Sequence, residues 1–310
     1  MASRGQRLFV SDVQQKDCEN ALMSTTPEHD SRWTELEKLD ACPVCGFGQH
    51  ELKFPVDVRQ CRKCHTLFRS PRPTQAAIKA SYDRGLNYER WQEEEAGRDA
   101  MWEVRLRLIE RQSPGLRLLD IGTGDGRFLE AACRHGFTVD ATELSDTGIQ
   151  YAATRGFTVR KGQVTEIDFG ALKYDVITIW HVLEHVPNPM EVIRCCRGLL
   201  APGGLLVLAV PNEDTHLFKV PLRKLLRRSP KPNPLGNIPF GGEVHLTHFQ
   251  PATLKRLLHS ERFHVVDFGV DDVFVKREVH TLRHLRFHRF LARVCGWHAS
   301  IAMYAIARLG

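Results

Sequence analysis

Residues 118–126 read Leu118-Leu119-Asp120-Ile121-Gly122-Thr123-Gly124-Asp125-Gly126. A short apolar run ends in an aspartate and passes into alternating glycines. Glycine lets the backbone turn tightly and lets a ligand approach it closely. Residues 127–135 carry helical patterning and are closed by Gly136 at a C-cap position. A strand, a glycine turn and a helix start in this order offer free backbone N–H groups to a ligand.

Outward from that turn the chain alternates. Residues 116–121 are a buried strand, with further strands at 138–142, 157–160, 175–180 and 205–210, the fourth rich in β-branched residues. Ser145 is placed to cap a helix running to Arg155, which Gly156 closes, and a helix over 189–200 ends before Pro202-Gly203-Gly204. Strands separated by helices of roughly 10–15 residues predict an α/β, doubly wound parallel sheet with helices on both faces and right-handed crossovers. Past Pro211 the order weakens. Residues 213–249 are rich in proline, glycine and basic side chains and read as a long loop or lid. A helix over 250–260, a strand over 263–270, a helix over 275–295 and a last strand over 299–307 follow. Upstream, 1–40 read as a mobile tail, 41–73 as a small Cys- and Pro-punctuated module, and 74–112 as a helical linker to the main domain, 113–310.

With 310 residues the chain can hold one large domain and a small one. Hydrophobic residues at 42% and charged residues at 26% are ordinary for a globular protein. No apolar run approaches the ~18–20 residues needed to cross a bilayer, and the first 31 residues lack the apolar stretch of a secretory signal. The nine cysteines, without an export signal, predict a reducing, cytoplasmic setting. The net charge of +6 is clustered in 216–234 and 276–293. Those segments are either solvated basic faces or a surface for an anionic partner such as a phosphate, nucleotide sugar, nucleic acid or lipid head group.

Glu143 stands 21 residues after Gly122, at the end of the second strand. A carboxylate there can accept both hydroxyls of a ribose. Glycine loop, helix, second strand and acidic end together form a nucleoside site. The spacing is G-x-G-x-G with Asp120 ahead of it, not the dinucleotide fingerprint G-x-G-x-x-G.

At this point the chain resembles the class I S-adenosylmethionine-dependent methyltransferases. Residues 118–126 look like their first motif, and Glu143 matches their ribose-binding acid. Tyr174-Asp175-Val176-Ile177 followed by His181-Val182-Leu183-Glu184-His185-Val186 resembles the fourth-strand motif. Leu199-Leu200-Ala201-Pro202-Gly203-Gly204 resembles the turn before the fifth strand. The resemblance spans about 113–310 and is clearest over 116–211. It implies a seven-stranded Rossmann-like sheet with the last strand antiparallel. It also implies S-adenosylmethionine as cofactor. Asp120, Gly122, Thr123, Gly124 and Gly126 would hold the methionine part, Glu143 and Leu144 the ribose, and residues 164–168, including Asp168, the adenine, with His181 near the reacting end.

Cys42-Pro43-Val44-Cys45 and Cys61-Arg62-Lys63-Cys64 are C-x2-C pairs with fifteen residues between them, a spacing suited to tetrahedral zinc. Four thiolates close a structural site and leave no catalytic position. The segment is too short for a core of its own, so zinc would supply much of its folding energy. A ribbon ahead of this fold resembles methyltransferases of sugars and biosynthetic intermediates, whose second pair leads into a stretch much like Cys64-His65-Thr66-Leu67-Phe68-Arg69-Ser70-Pro71-Arg72-Pro73. A second group, acting on ribosomal RNA, has a further stretch after its ribbon that is missing here.

His181, Glu184 and His185 read as H-x-x-E-H, a zinc-peptidase pattern, but that pattern needs a helix and this one follows a strand. The ubiquinone-biosynthesis O-methyltransferase group has glutamate where His181 stands, and acidic residues there are implied in holding a divalent ion; His181 argues against the same ion here. Removing a hydroxyl proton for methyl transfer suits a neutral histidine. The candidates are His181, His185, His245 and His248. The alternative is that Glu184 and His185 cap the next helix and the others only pack. Three functions follow: a methyltransferase acting, through oxygen, on a small molecule or glycan; an RNA methyltransferase using the ribbon and basic segments; and a non-catalytic module that keeps the cofactor fold to bind partners.

Overall fold

In the computed structural model the described residues are 33, 35–54, 57–82, 95–214, 244–271, 290, 294 and 302–310. The chain divides into two units, Met1–Arg32 and Trp33–Gly310, and every described residue belongs to the second.

The glycine turn joins strand β6, Arg117–Ile121, to helix α3, Arg127–Arg134. Leu118, Leu119 and Ile121 are buried, as expected of a central strand covered on both faces. On one side β6 pairs in parallel with β7, Thr138–Glu143, which pairs with β8, Arg160–Lys161. On the other it pairs in parallel with β9, Tyr174–Trp180, which pairs with β10, Leu200–Pro211. The C-terminal strand β13, Ala302–Leu309, runs antiparallel to both β10 and β12, Phe263–Val270. The sheet is seven-stranded, in the order β12-β13-β10-β9-β6-β7-β8. Helix α4, Asp146–Thr154, lies between β7 and β8, α5, Pro189–Leu199, between β9 and β10, and α6, Pro251–Ser260, just ahead of β12. Ser145 caps α4 as expected, its side chain accepting from Gly148 N at 3.2 Å.

Several boundaries move. The strand expected at 157–160 is reduced to Arg160–Lys161, because Phe157 and Val159 pack against the buried cluster around Phe128 and Val176 instead of pairing. Tyr174 and Leu200 pair ahead of the Pro202–Gly204 turn, so β10 begins early and carries an irregularity between Leu200 and Leu205. The linker holds two helices, α1 at Gln75–Tyr82 and α2 at Glu95–Glu110. The expected tail, the lid between 215 and 243, the basic segment 216–234 and nearly all of 276–293 lie outside the described residues, as does the helix expected at 275–295 apart from Phe290 and Val294. Among the described residues no helix is long and apolar enough to cross a membrane.

The cysteine module is built from β2, His50–Phe54, β3, Val58–Cys61, and β4, Leu67–Arg69. Its fourth strand comes from far along the chain: β11, Thr247–His248, pairs antiparallel with β4. Strand β1, Leu36–Glu37, pairs with β5, Arg72–Pro73. Val44, Phe68, Phe249 and Leu254 share one buried cluster with Leu119 and Ile177, so the module sits on the main core and not on a core of its own.

Candidate active site

Gly122, Gly124 and Gly126 all take positive φ, at 73°, 59° and 74°. At Gly122 a Cβ would stand 2.5 Å from Val182 Cγ2, so only glycine lets the loop press against the turn after β9. Glu143 at the end of β7 fastens this loop. Its Oε2 accepts from Gly124 N and its Oε1 from Leu144 N and Ser145 N, each at 2.8 Å. Asp120 at the end of β6 is buried and accepts from Thr178 Oγ1 at 2.6 Å. Burial, outweighing the Thr178 hydroxyl, pushes its carboxyl up to about 7.

Helix α2 closes over the loop. Arg98 donates to both oxygens of Asp125, at 2.6 and 2.9 Å, and Arg127 reaches Asp99 at 2.9 Å. Burial raises the Asp125 carboxyl, but Arg98 outweighs it and holds the group below the usual carboxylate range. Next to Glu143 in sequence, Leu144 lines a cleft of about 430 Å³ together with Lys161, Gly162, Gln163, Glu166 and, from α1, Gln75 and Lys79.

At the carboxyl end of β9 the chain turns through His181, Glu184 and His185. His181 takes φ 55°, a left-handed conformation uncommon outside glycine, while its N–H bonds Ala209 O at 2.9 Å. Its Nε2 lies 3.0 Å from Asp271 Oδ2 and its Nδ1 3.6 Å from Glu184 Oε1. Arg105 pairs with the same Asp271 and stacks on Trp102 and Trp180 with its guanidinium carbon 4.7 and 4.4 Å from the ring centroids. Burial lowers His181, but Asp271 and then Glu184 outweigh it and lift the imidazole to about 9. Burial likewise raises Glu184, and the facing imidazoles of His181, His185 and His245 hold it below the usual range.

The 244–249 segment folds onto this turn. Leu246 N and Thr247 N both donate to Glu184 O, at 2.8 and 3.1 Å. His185 Nδ1 lies 2.9 Å from Val244 O, and the His185 and His245 rings meet edge-on with centroids 4.9 Å apart. His248 Nδ1 lies 3.2 Å from Glu213 Oε1. From the other side Arg69 of β4 holds His245 O through Nε at 3.0 Å and Leu246 O through its backbone N–H at 2.9 Å. The cysteine module is therefore bonded to the histidine cluster.

The four module thiols converge. Cys42 and Cys64 Sγ are 3.6 Å apart and Cys45 and Cys61 Sγ 3.5 Å, with all four within 4.8 Å of one another. Zinc–sulfur arms of about 2.3 Å in a tetrahedron put sulfurs about 3.8 Å apart, so the set fits such an ion. The two knuckles match: Gly46 and His65 each take positive φ and donate to Cys42 O and Cys61 O, at 2.9 and 3.0 Å.

Residues 88–267, more than half of the chain, match the family model described as methyltransferase domain. The chain belongs to the methyltransferase domain family. Among curated relatives, the ubiquinone biosynthesis O-methyltransferase of Caulobacter sp. (strain K31) is 43% identical over 126 residues, covering 37% of this chain and 50% of that protein. Its counterpart in Actinobacillus pleuropneumoniae serotype 5b (strain L20) is 36% identical over 129 residues, covering 37% and 55%. The chain thus spans about half the length of the curated relatives it matches. Among solved structures, magnesium protoporphyrin IX methyltransferase from Synechocystis PCC 6803, crystallised with bound SAH, aligns with a TM-score of 0.52 at 12% identity over 76% of this chain and all of that one. That likeness is one of fold.

In this methyltransferase domain the expected residues fall into three groups. Asp120, Gly122, Thr123, Gly124, Gly126, Glu143 and Leu144 gather at the ends of β6 and β7. His181, His185, His245 and His248 gather at the end of β9. Asp168 stands apart, exposed, with its carboxylate spent on Gly170 N at 2.8 Å. Gln163 and Glu166, five and two residues before it in sequence, are the ones that line the cleft. Glu184 and His185 do not cap the next helix: α5 has Asn188 at its N-cap, and Glu184 is buried among imidazoles. Sequence reading missed Arg98, Arg105, Glu213 and Asp271. Each has its partner 27 residues or more away in sequence, and only the apolar surroundings of Arg105 hinted at a buried role.

Proposed function

We propose that the chain moves a methyl group from S-adenosylmethionine to a hydroxyl of a small-molecule or glycan acceptor. One observation carries the reading: the carboxylate that could take a ribose, Glu143, is fastened to the glycine loop, and a histidine cluster stands at the carboxyl end of the strand next to it. Ligands of open α/β sheets bind in that crevice. The O-methyltransferase relatives support oxygen as the acceptor atom.

The residues fit the cofactor by their chemistry. Glu143 would accept the ribose hydroxyls, with Leu144 beside it, and Gln163 and Glu166 would edge the adenine end of the cleft. Asp120 and the loop at Gly122, Thr123, Gly124 and Gly126 would take the methionine part, whose ammonium suits a buried carboxylate. When bound, S-adenosylmethionine supplies an electrophilic methyl group on sulfur. His181, lifted to about 9, carries a proton at neutral pH. It therefore positions Asp271 and Glu184 and does not accept the acceptor's proton. That role passes to His185, whose Nδ1 faces Val244 O and leaves Nε2 to accept, while His245 and His248 gather beside it around Glu213. In the ribbon, Cys42, Cys45, Cys61 and Cys64 would hold structural zinc and keep β4 in place against β11.

The test is a reaction of the purified chain with methyl-labelled S-adenosylmethionine and cell extract, fractionated and read by mass spectrometry. Label is expected in a small-molecule or glycan fraction, as a methyl ether or ester. Label confined to RNA would replace the reading with an RNA methyltransferase. Cofactor binding with no labelled product would leave a non-catalytic binding module.

A further inference from the structure

Glu213, His245 and His248 form a group that methyl transfer does not require. Glu213 follows the end of β10, and its N–H bonds Phe249 O at 3.0 Å, which draws it against the segment bearing both histidines. Glu213 and His248 are each 1% exposed, while the His245 side chain is 15% exposed. His248 Nδ1 is 3.2 Å and His245 Nδ1 3.9 Å from the same oxygen, Glu213 Oε1. His245 Nδ1 and His248 Nε2 are buried without a hydrogen-bond partner among the described residues. One ligand atom from each of the three residues lies within 4.8 Å of the other two. An ion with arms of about 2.0–2.1 Å holds nitrogen and oxygen ligands roughly 3.3 Å apart in a tetrahedron. The two contacts to Glu213 Oε1, at 3.2 and 3.9 Å, bracket that spacing.

We propose that Glu213, His245 and His248 bind a first-row divalent cation of the zinc type, at a site separate from the cysteine ribbon. One carboxylate and two imidazoles suit a doubly charged ion. Two imidazoles turn the choice away from magnesium and calcium, which take oxygen ligands, and toward zinc or iron. Three protein ligands leave a coordination position open, as in catalytic and not structural sites. His245 is the least buried ligand, so the open position lies on its side of the group, next to the ring of His185. An oxygen ligand, water or the hydroxyl of an acceptor, would complete the shell there. The site stands on its ligand set and does not depend on methyl transfer.

The full-length chain, depleted of metal and titrated with Co²⁺, tests it by absorption and metal analysis. Cobalt in the ribbon gives near-ultraviolet thiolate charge transfer, whereas cobalt on the triad gives weak visible bands without it. Two ions per chain are expected. Glu213→Gln and His245→Gln should each weaken the second ion by about 100-fold or more, at least the loss that outer-shell changes cause. The thiolate band should be unchanged, which also shows that the variants fold. One ion per wild-type chain overturns the proposal. So does a second ion kept by both variants, since it would then sit on others of the 15 histidines. A chain that binds the second ion but transfers no methyl group leaves the site standing and removes only the functional reading.

Discussion

Asp120 shows how one residue couples binding to pH. Burial, stronger than its bond from Thr178, lifts its carboxyl from the usual 3.8 to about 7. The folded chain therefore holds a proton there, between about pH 4 and 7, that the unfolded chain has released. Stability owed to Asp120 falls as pH rises through that window. An ammonium placed beside the group reverses its preference, because an opposite charge favours the ionised form. S-Adenosylhomocysteine affinity should then rise several-fold from pH 6 to 8, with a proton released on binding and detected by calorimetry in buffers of different ionisation enthalpy. His181, held at about 9, stays charged across most of this range and does not confuse the profile. Asp120→Asn should flatten the dependence and weaken binding. A flat wild-type profile would show that Asp120 does not meet the ligand's charge.

Elements differ in how plainly the sequence announces them. Strands β6 and β9 are short apolar runs, β7 is a short β-branched stretch between Gly136 and the acid Glu143, and the helix cap at Ser145 is local chemistry, so all were legible. The pairing of β4 with β11 joins Phe68 to Thr247, and nothing in either two- or three-residue strand specifies the other. This pairing is set by tertiary packing of Phe68 and Phe249 on the common core. It has a consequence. Through Arg69 and Leu246 the ribbon holds the segment that donates Leu246 N and Thr247 N to Glu184 O. Losing the zinc proposed for the ribbon should loosen the histidine cluster and spare the glycine loop, which Glu143 and Arg98 hold independently. Cys45→Ser should speed amide exchange at Leu246 and Thr247 by on the order of 10–100-fold while leaving Gly122 and Gly124 protected. Equal loss of protection at both places would mean that the ribbon is no separate staple but part of one cooperative core.

For the whole molecule, the strand order β12-β13-β10-β9-β6-β7-β8 brings the glycine loop and the histidine cluster to the carboxyl ends of neighbouring strands. The nucleoside side was legible because its parts lie within residues 118–145, where strand, glycine turn, helix and acid are consecutive. The other side was legible only as a set of histidines. Their assembly draws on residues 69, 105, 213 and 271, charges that no local pattern connects to them. Burial of opposite charges in apolar surroundings costs too much unless they are paired, and that requirement gathers them in the folded chain. The nucleoside site proposed at the glycine loop is central, and calorimetry of S-adenosylhomocysteine with wild type and Glu143→Ala measures it directly. Saturable one-to-one binding is expected in the wild type, and a roughly 10–100-fold loss in Glu143→Ala, the value of one or two charge-assisted hydrogen bonds. No heat from the wild type at high ligand concentration, or equal affinity in the two proteins, would contradict the cofactor site placed at Gly122 and Glu143.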